Sequence, residues 1–211
     1  MMKKTIPIII AALLLTVTAF AQEAKTIQLP KPDMSGGKPL MQALKDRKSS
    51  REFSGKPLPI QVLSDLLWAA AGVNRPESKQ RTSPTAHNCQ EIDIYVAMES
   101  GLYLYDAFKN ILEPVIAKDI RAVTGKQDFV AKAPVNLIYV ADSLRAKDFG
   151  DQFEFYSAAD TGYISENVYL YCASAGLATV VRGWFDEKVL GAEMNLKPTQ
   201  KIILTQTVGY P

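Results

Sequence analysis

Histidine and cysteine are scarce in this sequence, and their scarcity excludes several kinds of site. The 211 residues include one histidine, His87, and two cysteines, Cys89 and Cys172. A lone histidine cannot form a multi-histidine metal site, and no acidic cluster stands near it at ligand spacing. The cysteines form no C-x-x-C pair, and no nucleophile elbow marks a serine or cysteine as a catalytic partner for His87. We therefore expect no bound metal, and the sequence leaves open whether the cysteines are free or joined.

Long apolar runs are also missing. The longest, residues 6–15, is too short to span a bilayer, which takes about 20 residues. It lies between Lys3-Lys4 and the triplet A-F-A at residues 19–21, and a basic start, a short apolar stretch and an A-x-A site are the parts of a secretory signal peptide. Gln22, not cysteine, follows, which argues against a lipoprotein anchor. The sequence predicts cleavage near Ala21 and export to the periplasm or the medium, with no stable membrane anchor.

The sequence also lacks an excess of charge of either sign. Without Lys3 and Lys4, the remaining chain carries 22 basic and 22 acidic side chains, so it has no electrostatic footprint for nucleic acid. About 190 residues remain, enough for one domain with a full core. We predict a loosely held arm over residues 22–38, rich in proline and glycine, and a single domain over residues 39–211. No G-x-G-x-x-G or P-loop occurs, so a Rossmann nucleotide site is not expected.

Hydrophobic periodicity predicts an α+β domain with dispersed strands, including one hairpin. The proline pair around Leu58 starts one helix, Gly72 ends it, and residues 74–82 are predicted to be a polar loop. The alternation that begins at Ile92 predicts a strand that turns into a second one at Gly101. The other predicted helices cover residues 40–48, 107–123, 151–176 and 186–191, and the predicted strands cover residues 91–98, 102–105, 133–141, 178–185 and 201–208.

The most distinctive polar stretch is R-K-S-S-R at residues 47–51. Three cations and two hydroxyls within five residues suit a dianion, because guanidinium groups match phosphate oxygens in pairs and charge-assisted hydrogen bonds are strong. Arg47 and Arg51 converge on one face if the preceding helix continues through them. A solvated basic turn is the alternative interpretation of the same residues.

Four stretches, in order, resemble the nitroreductase family of flavin-dependent oxidoreductases. Residues 47–53, R-K-S-S-R-E-F, are similar to its R-R-S-x-R-x-F, and residues 83–90, S-P-T-A-H-N-C-Q, are similar to its P-S-x-x-N-x-Q. Residues 173–186 are similar to A-x-x-x-G-L-G-x followed by G-x-F, and residues 208–211, V-G-Y-P, are similar to L-G-Y-P. These are called the first to fourth motifs below. L-W-A-A-A-G-V and R-T-S-P-T-A look closest to the branch that includes the dehydrogenases of thiazole/oxazole peptide maturation.

The resemblance implies a nitroreductase-like α+β fold, with a central, mostly antiparallel sheet flanked by helices. It also implies an intertwined homodimer with two non-covalent FMN sites at the interface. The expected activity is a ping-pong transfer of a hydride or electron pair through flavin N5 to a small organic acceptor, nitroaromatic- or quinone-like. NAD(P)H is a possible donor, although it is a cytosolic reductant. The alternatives are an exported protein that binds flavin or keeps the fold without catalysis, and an azoline-type dehydrogenase.

The resemblance also assigns cofactor contacts, while no side chain is assigned to catalysis. Arg47, Ser49 and Arg51 would hold the phosphate and ribityl chain, with Lys48 adding charge. The residues that would line the ring or ribityl chain are Pro84, Thr85, Ala86, Asn88 and Gln90. The segment Val181, Arg182, Gly183 would present backbone N–H groups to flavin N5 and O4, and the Arg182 side chain would meet a substrate carboxylate or nitro group.

Two departures from the family pattern stand out. The second motif usually continues Q-P-W, whereas Glu91 and Ile92 follow Gln90 here. Many members also carry a basic residue after the G-Y-P turn that reaches the phosphate, and the sequence given stops at Pro211. Phosphate binding is therefore expected to depend on residues 47–51.

Overall fold

A computed structural model describes residues 25–211; the predicted signal peptide lies outside the described residues. Within the described part the chain forms nine strands and four α-helices, which is four strands more and one helix fewer than predicted. The elements are β1 (Ile27–Gln28), α1 (Leu40–Asp46), α2 (Ile60–Ala71), β2 (Val73–Arg75), β3 (Gln80–Arg81), β4 (Ile92–Met98), β5 (Gly101–Asp106), β6 (Ile111–Ile116), β7 (Val135–Asp142), α3 (Phe153–Ala175), β8 (Ala178–Arg182), α4 (Glu187–Glu193) and β9 (Gln200–Gly209).

Seven strands form one sheet in the order β1-β6-β5-β4-β7-β9-β8, and every neighbouring pair is antiparallel. β2 and β3 form a separate small hairpin within the stretch predicted to be a loop. β7 is buried along nearly its whole length, as its continuous apolar sequence predicted. The predicted α+β class with a mostly antiparallel central sheet is confirmed.

Helices cover both faces of this sheet. On one face α3 packs Ile164, Val168 and Cys172 against the sheet and against α2. On the other face α4 contributes Leu190, which packs with Met194 against strand residues. Each face of the sheet therefore has its own apolar core.

Cys89 and Cys172 are both free, and burial raises the pKa of the Cys172 thiol.

The predicted helix over residues 107–123 is wrong. Asp106 instead accepts hydrogen bonds from the backbone N–H groups of Phe108 and Lys109, which forms a turn that leads into β6. Pro114 lies inside β6, beyond the end of β1, which pairs only with Ile111 and Leu112. A proline without an N–H is tolerated at such a sheet margin. The apolar positions of this stretch were therefore those of a strand at the margin of the sheet.

The arm is also held more firmly than predicted. β1 adds to the edge of the sheet at β6. The Asn110 side-chain amide and the Ser64 hydroxyl both donate to the carbonyl oxygen of Pro30, at 2.9 and 2.5 Å. The described part of the arm is therefore docked along the domain and is not a loose tail.

Candidate functional site

The basic segment, residues 47–51, lies along the edge strand β8. α1 ends at Asp46, and Arg47 has φ −58° and ψ 123°, so the helix does not continue and does not bring Arg47 and Arg51 onto one face. The segment runs on without regular structure, and the Ser50 N–H donates to the carbonyl oxygen of Thr179 at 2.9 Å. In an antiparallel strand, residues i and i+2 direct their backbone groups to the same side. Thr179 and Val181 therefore both face away from β9.

Tyr169 of α3 connects the first and third motifs. Its phenol oxygen lies 2.8 Å from Ser49 Oγ and accepts a hydrogen bond from the Val181 N–H at 3.0 Å. The Arg47 guanidinium lies 5.4 Å from the centre of the Tyr169 ring, a cation–π distance. Tyr169 is 6% exposed. Sequence reasoning missed this residue, because no spacing along the chain links it to the motifs.

One backbone donor predicted for the flavin edge is therefore occupied. The Val181 N–H donates to the Tyr169 phenol oxygen. Gly183 lies two residues further along, directly after β8, and is exposed. In an extended chain its N–H faces the same side as that of Val181. Among the three assigned residues, Gly183 is best placed to offer an N–H to a ligand beside β8.

A cleft of about 440 Å³ lies between the basic segment, the end of α3 and β8. Lys48, Ser50, Tyr169, Thr179 and Pro211 are among the residues that line it. The first, third and fourth motifs therefore contribute to one concavity. The side chains of Lys48 and Arg51 are exposed, so both are accessible to an anion in or beside the cleft.

The fourth motif packs directly behind the first. The Ser54 N–H donates to the carbonyl oxygen of Tyr210 at 2.8 Å. A Cβ atom at Gly209 would come within 2.7 Å of Pro134 Cδ and 3.4 Å of Phe53 Cδ1. The glycine of V-G-Y-P therefore allows the C-terminal strand to lie against the aromatic residue of the first motif.

The second motif lies elsewhere on the chain. The Ala86 N–H donates to Asp160 Oδ2 at 2.9 Å, and the His87 ring centre lies 6.3 Å from that of Tyr156. Asp160 precedes Tyr169 by nine residues of α3, which is about 14 Å along the helix axis. Within one chain the second motif is thus associated with a different turn of α3 from the first.

Three residues of the second-motif loop have left-handed backbone conformations that non-glycine residues adopt at a cost. His87, Asn88 and Gln90 have φ values of 53°, 55° and 50°. The Gln90 N–H donates to Thr85 Oγ1 at 3.0 Å, and its side-chain amide donates to Lys79 O at 2.9 Å and to Asn88 Oδ1 at 3.1 Å. Such conformations persist only where surrounding contacts fix them. The Gln90 amide is therefore used within the loop region itself.

The Arg182 side chain does not face the cleft, so the expectation that it meets a substrate is wrong. It is 5% exposed and donates from Nη1 to Thr124 O at 2.9 Å and from Nη2 to Asn136 Oδ1 at 3.0 Å. A Cβ at Gly125 would lie 1.8 Å from Nη1. Burial lowers the pKa of Arg182 to about 10, which leaves it charged at neutral pH. Its assigned backbone contact to flavin stays a prediction.

Replacing Tyr169 with phenylalanine should lower the free energy of unfolding by about 1–3 kcal/mol, because the Val181 N–H loses its acceptor at a buried position. The measurement is thermal unfolding of the protein without added ligand. Tyr163→Phe, an exposed tyrosine on the same helix, is the matched control and should leave the midpoint unchanged. Equal midpoints for the two variants would show that the phenol does not stabilise this junction.

Two other kinds of site are absent from residues 25–211. No group of three or more His, Cys, Asp or Glu side chains in this part of the chain could hold a metal ion. No helix in the same part is both long and apolar enough to cross a membrane. The candidate site is the cleft beside β8, next to the cations of the basic segment.

Fold and site together define an α+β protein with a basic segment beside an edge strand, and comparison with known proteins specifies the class. The family model described as "Nitroreductase family" matches residues 44–210. A relative from Methanocaldococcus jannaschii, whose name places it among the nitroreductases, is 32% identical over 183 residues, which cover 82% of this chain and 91% of the relative. The chain belongs to the nitroreductase family and is, at that level, an oxidoreductase.

Solved structures agree with this family and fold. A nitroreductase-family crystal structure from Ralstonia eutropha JMP134 is 48% identical, with a TM-score of 0.85, covering 89% of this chain and 90% of that one. The microcin synthetase McbBCD complex of E. coli contains a chain that is 19% identical, with a TM-score of 0.68, covering 97% of this chain and 84% of that one. At that identity the second likeness concerns the fold alone.

Proposed function

We propose that this protein is an FMN-dependent oxidoreductase that passes electrons to a small organic acceptor, nitroaromatic- or quinone-like. The observation that supports the proposal best is the junction at Tyr169, where Arg47 and Ser49 of the first motif meet Val181 of the third. Three family motifs that are far apart in sequence line one cleft. The proposal concerns a cofactor and an acceptor that family membership alone does not specify.

The residues beside β8 fit the chemistry of FMN. Its phosphate is a dianion, and the segment offers Arg47, Lys48 and Arg51 as cations together with the Ser49 hydroxyl. The backbone N–H of Gly183 would be directed at the ring edge, where a fixed donor stabilises negative charge that develops on reduction. When bound, FMN supplies the redox chemistry, and the protein supplies binding, orientation and electrostatics.

We also propose that the complete site needs a second copy of the chain. The second motif lies about 14 Å along α3 from Tyr169, so a cofactor that contacts both motifs is better accommodated where two chains meet. Several large apolar side chains on and near α1 and α3 are exposed and could be buried in an intertwined homodimer. They are Met34, Leu40, Met41, Leu44 and Phe155.

The predicted signal peptide supports the proposal that the protein works outside the cytosol. NAD(P)H is not ordinarily available there, so the donor stays open between NAD(P)H and another reductant. The mass of the protein isolated from the producing cell would test export, because cleavage near Ala21 leaves a chain that begins at Gln22.

The experiment that tests the function is a visible absorption spectrum of the protein after incubation with FMN and dialysis. We expect a retained flavin band that NADPH or dithionite bleaches and that a nitroaromatic or a quinone restores. A retained band that no reductant bleaches would favour the alternative of a flavin-binding protein without catalysis. A colourless protein would contradict the FMN proposal, and residues 47–51 would then be a solvated basic turn.

A further inference from the structure

We propose that Glu91 and Asp160 form a carboxyl pair that shares one proton and positions the second-motif loop for the cofactor. The loop's role at the cofactor rests on the proposed function, whereas the pair itself does not. Glu91 occupies the place where the family pattern has the proline of Q-P-W, so the pair is argued from this chain's own residues.

The two carboxyl groups lie together in the interior and hold consecutive residues of the loop. Glu91 is 0% exposed and Asp160 is 2% exposed. Asp160 Oδ2 accepts from the Ala86 N–H at 2.9 Å, and Glu91 Oε2 accepts from Thr85 Oγ1 at 3.3 Å. Because Thr85 and Ala86 are consecutive residues, the two carboxyl groups that bond to them lie beside each other under the loop. One end of the strained loop is therefore fixed by acids from two elements.

The arrangement requires a proton. Two buried carboxylates in contact cannot both be ionised without a large electrostatic cost. Burial, and then the neighbouring Asp160, raises the pKa of Glu91. Glu91 Oε1 receives no hydrogen bond from any residue of the described chain. A proton on Glu91 satisfies this oxygen by making it a donor toward the side chain of Asp160, whose Oδ2 accepts from the Ala86 N–H.

Within residues 25–211 no cation forms an ion pair with the Glu91 carboxyl. The Arg145 Nη2 donates to the Glu91 backbone oxygen at 2.8 Å and pairs with Asp93 at 2.7 Å. The Asp142 N–H donates to the same backbone oxygen at 3.0 Å. The charged and titratable groups around the pair are Asp93 on β4, Asp142 at the end of β7, Arg145 and Asp148 between β7 and α3, Tyr156 on α3, and His87 and Cys89 in the loop.

The proton controls how firmly the loop is held. Because the pKa of Glu91 in the folded protein lies above its unfolded value of 4.5, the stabilising contribution of the pair is complete below that value. It is lost as the pH rises through the folded pKa. Two negative charges then repel each other beneath Thr85 and Ala86, and the left-handed residues that follow lose part of their support. Both stability and cofactor retention should fall on the alkaline side.

Infrared spectroscopy of the protein without added cofactor tests for the proton directly. We expect a carbonyl band of a protonated carboxylic acid that persists in the unsubstituted protein at pH values where exposed carboxyl groups are ionised and that disappears on further alkaline titration, a measurement that needs no variant to fold. This persisting band should be missing from Glu91→Gln and present in Glu99→Gln, a control at an exposed carboxyl group. A carbonyl band that disappears together with those of the exposed carboxyl groups would overturn the pair.

The pH dependence of FMN binding tests the positioning role. The dissociation constant of the unsubstituted protein should rise by up to about tenfold per pH unit once the pair loses its proton. That of Glu91→Gln, whose amide is neutral and can donate at every pH, should stay level, and Asp160→Asn should also flatten the profile. FMN's own titration is common to all variants and cancels in the comparison. Parallel profiles would overturn the positioning role.

Failure of every variant to bind FMN at any pH would contradict the proposed function and, with it, the positioning role. The infrared result would still decide whether the carboxyl pair shares a proton.

Discussion

Replacing Arg51 with glutamine should weaken FMN binding by about ten- to hundredfold and leave the stability of the protein unchanged. Hydrogen bonds to charged groups contribute about 1.5–3 kcal/mol, and the Arg51 side chain is exposed, so its replacement removes little packing. The measurement is an equilibrium titration of FMN fluorescence at fixed salt concentration, accompanied by thermal unfolding of the free protein.

The control for this variant is Lys45→Gln. Lys45 is exposed in the last turn of α1, so its replacement removes a nearby positive charge without removing an assigned phosphate contact. Its effect on affinity should be less than about threefold at physiological salt, because exposed charges are screened over about 8 Å. If both variants bind equally well, the basic segment does not hold the phosphate.

Replacing Arg182 with alanine should lower the free energy of unfolding by about 3–5 kcal/mol, because the change leaves a cavity and an unpaired carbonyl oxygen at Thr124. For a domain of this size, the unfolding midpoint should fall by roughly 6–20 °C. Differential scanning calorimetry of the protein without ligand measures both quantities. The buried arginine is therefore assigned a role in stability and none in substrate recognition.

Arg182→Lys separates charge from geometry in this test. Lysine keeps the positive charge, but one ammonium group cannot reproduce the two directed bonds to Thr124 and Asn136. Its loss of stability should be smaller than that of alanine but measurable. An alanine variant with normal stability and an altered KM for the acceptor would instead support the sequence-based assignment of the Arg182 side chain to the substrate site.

The elements predicted from sequence are those with long, regular patterns or strong end signals. The prolines around Leu58 and the glycine at position 72 predict a helix between them, and the structure places α2 there, at Ile60–Ala71. β7 was evident from its uninterrupted apolar run, and α3 from its length. The β4–β5 hairpin followed from a turn at Gly101, whose φ of 137° suits glycine.

The errors have physical causes that lie outside local pattern. β6 is short and contains Pro114, so its apolar residues were mistaken for one face of a helix. α1 ends at Asp46 because the chain then turns to lie along β8, and the hydrogen bond from Ser50 to Thr179 joins residues 129 positions apart in sequence. Long-range pairing of this kind leaves no periodic trace in the sequence.

The same limit applies to the candidate site. Motif residues were identifiable because they resemble a family pattern, whereas Tyr169 and Asp160, which hold the first and second motifs, lie inside a helix with no distinguishing neighbours. The Arg182 side chain was assigned to the wrong side of its strand, because alternation along a short strand does not reveal which side is buried. The cofactor contacts themselves stay predictions.

The two outer strands of the sheet bear on solubility. An uncovered edge strand can pair with another chain and begin aggregation. Here β1 covers part of β6, and residues 49–50 with Tyr169 occupy the outward-facing carbonyl of Thr179 and N–H of Val181 on β8. The segment proposed to hold phosphate therefore also blocks unwanted strand pairing. Substitutions that loosen it from β8 carry a risk of self-association that an activity assay alone would not distinguish from loss of the cofactor.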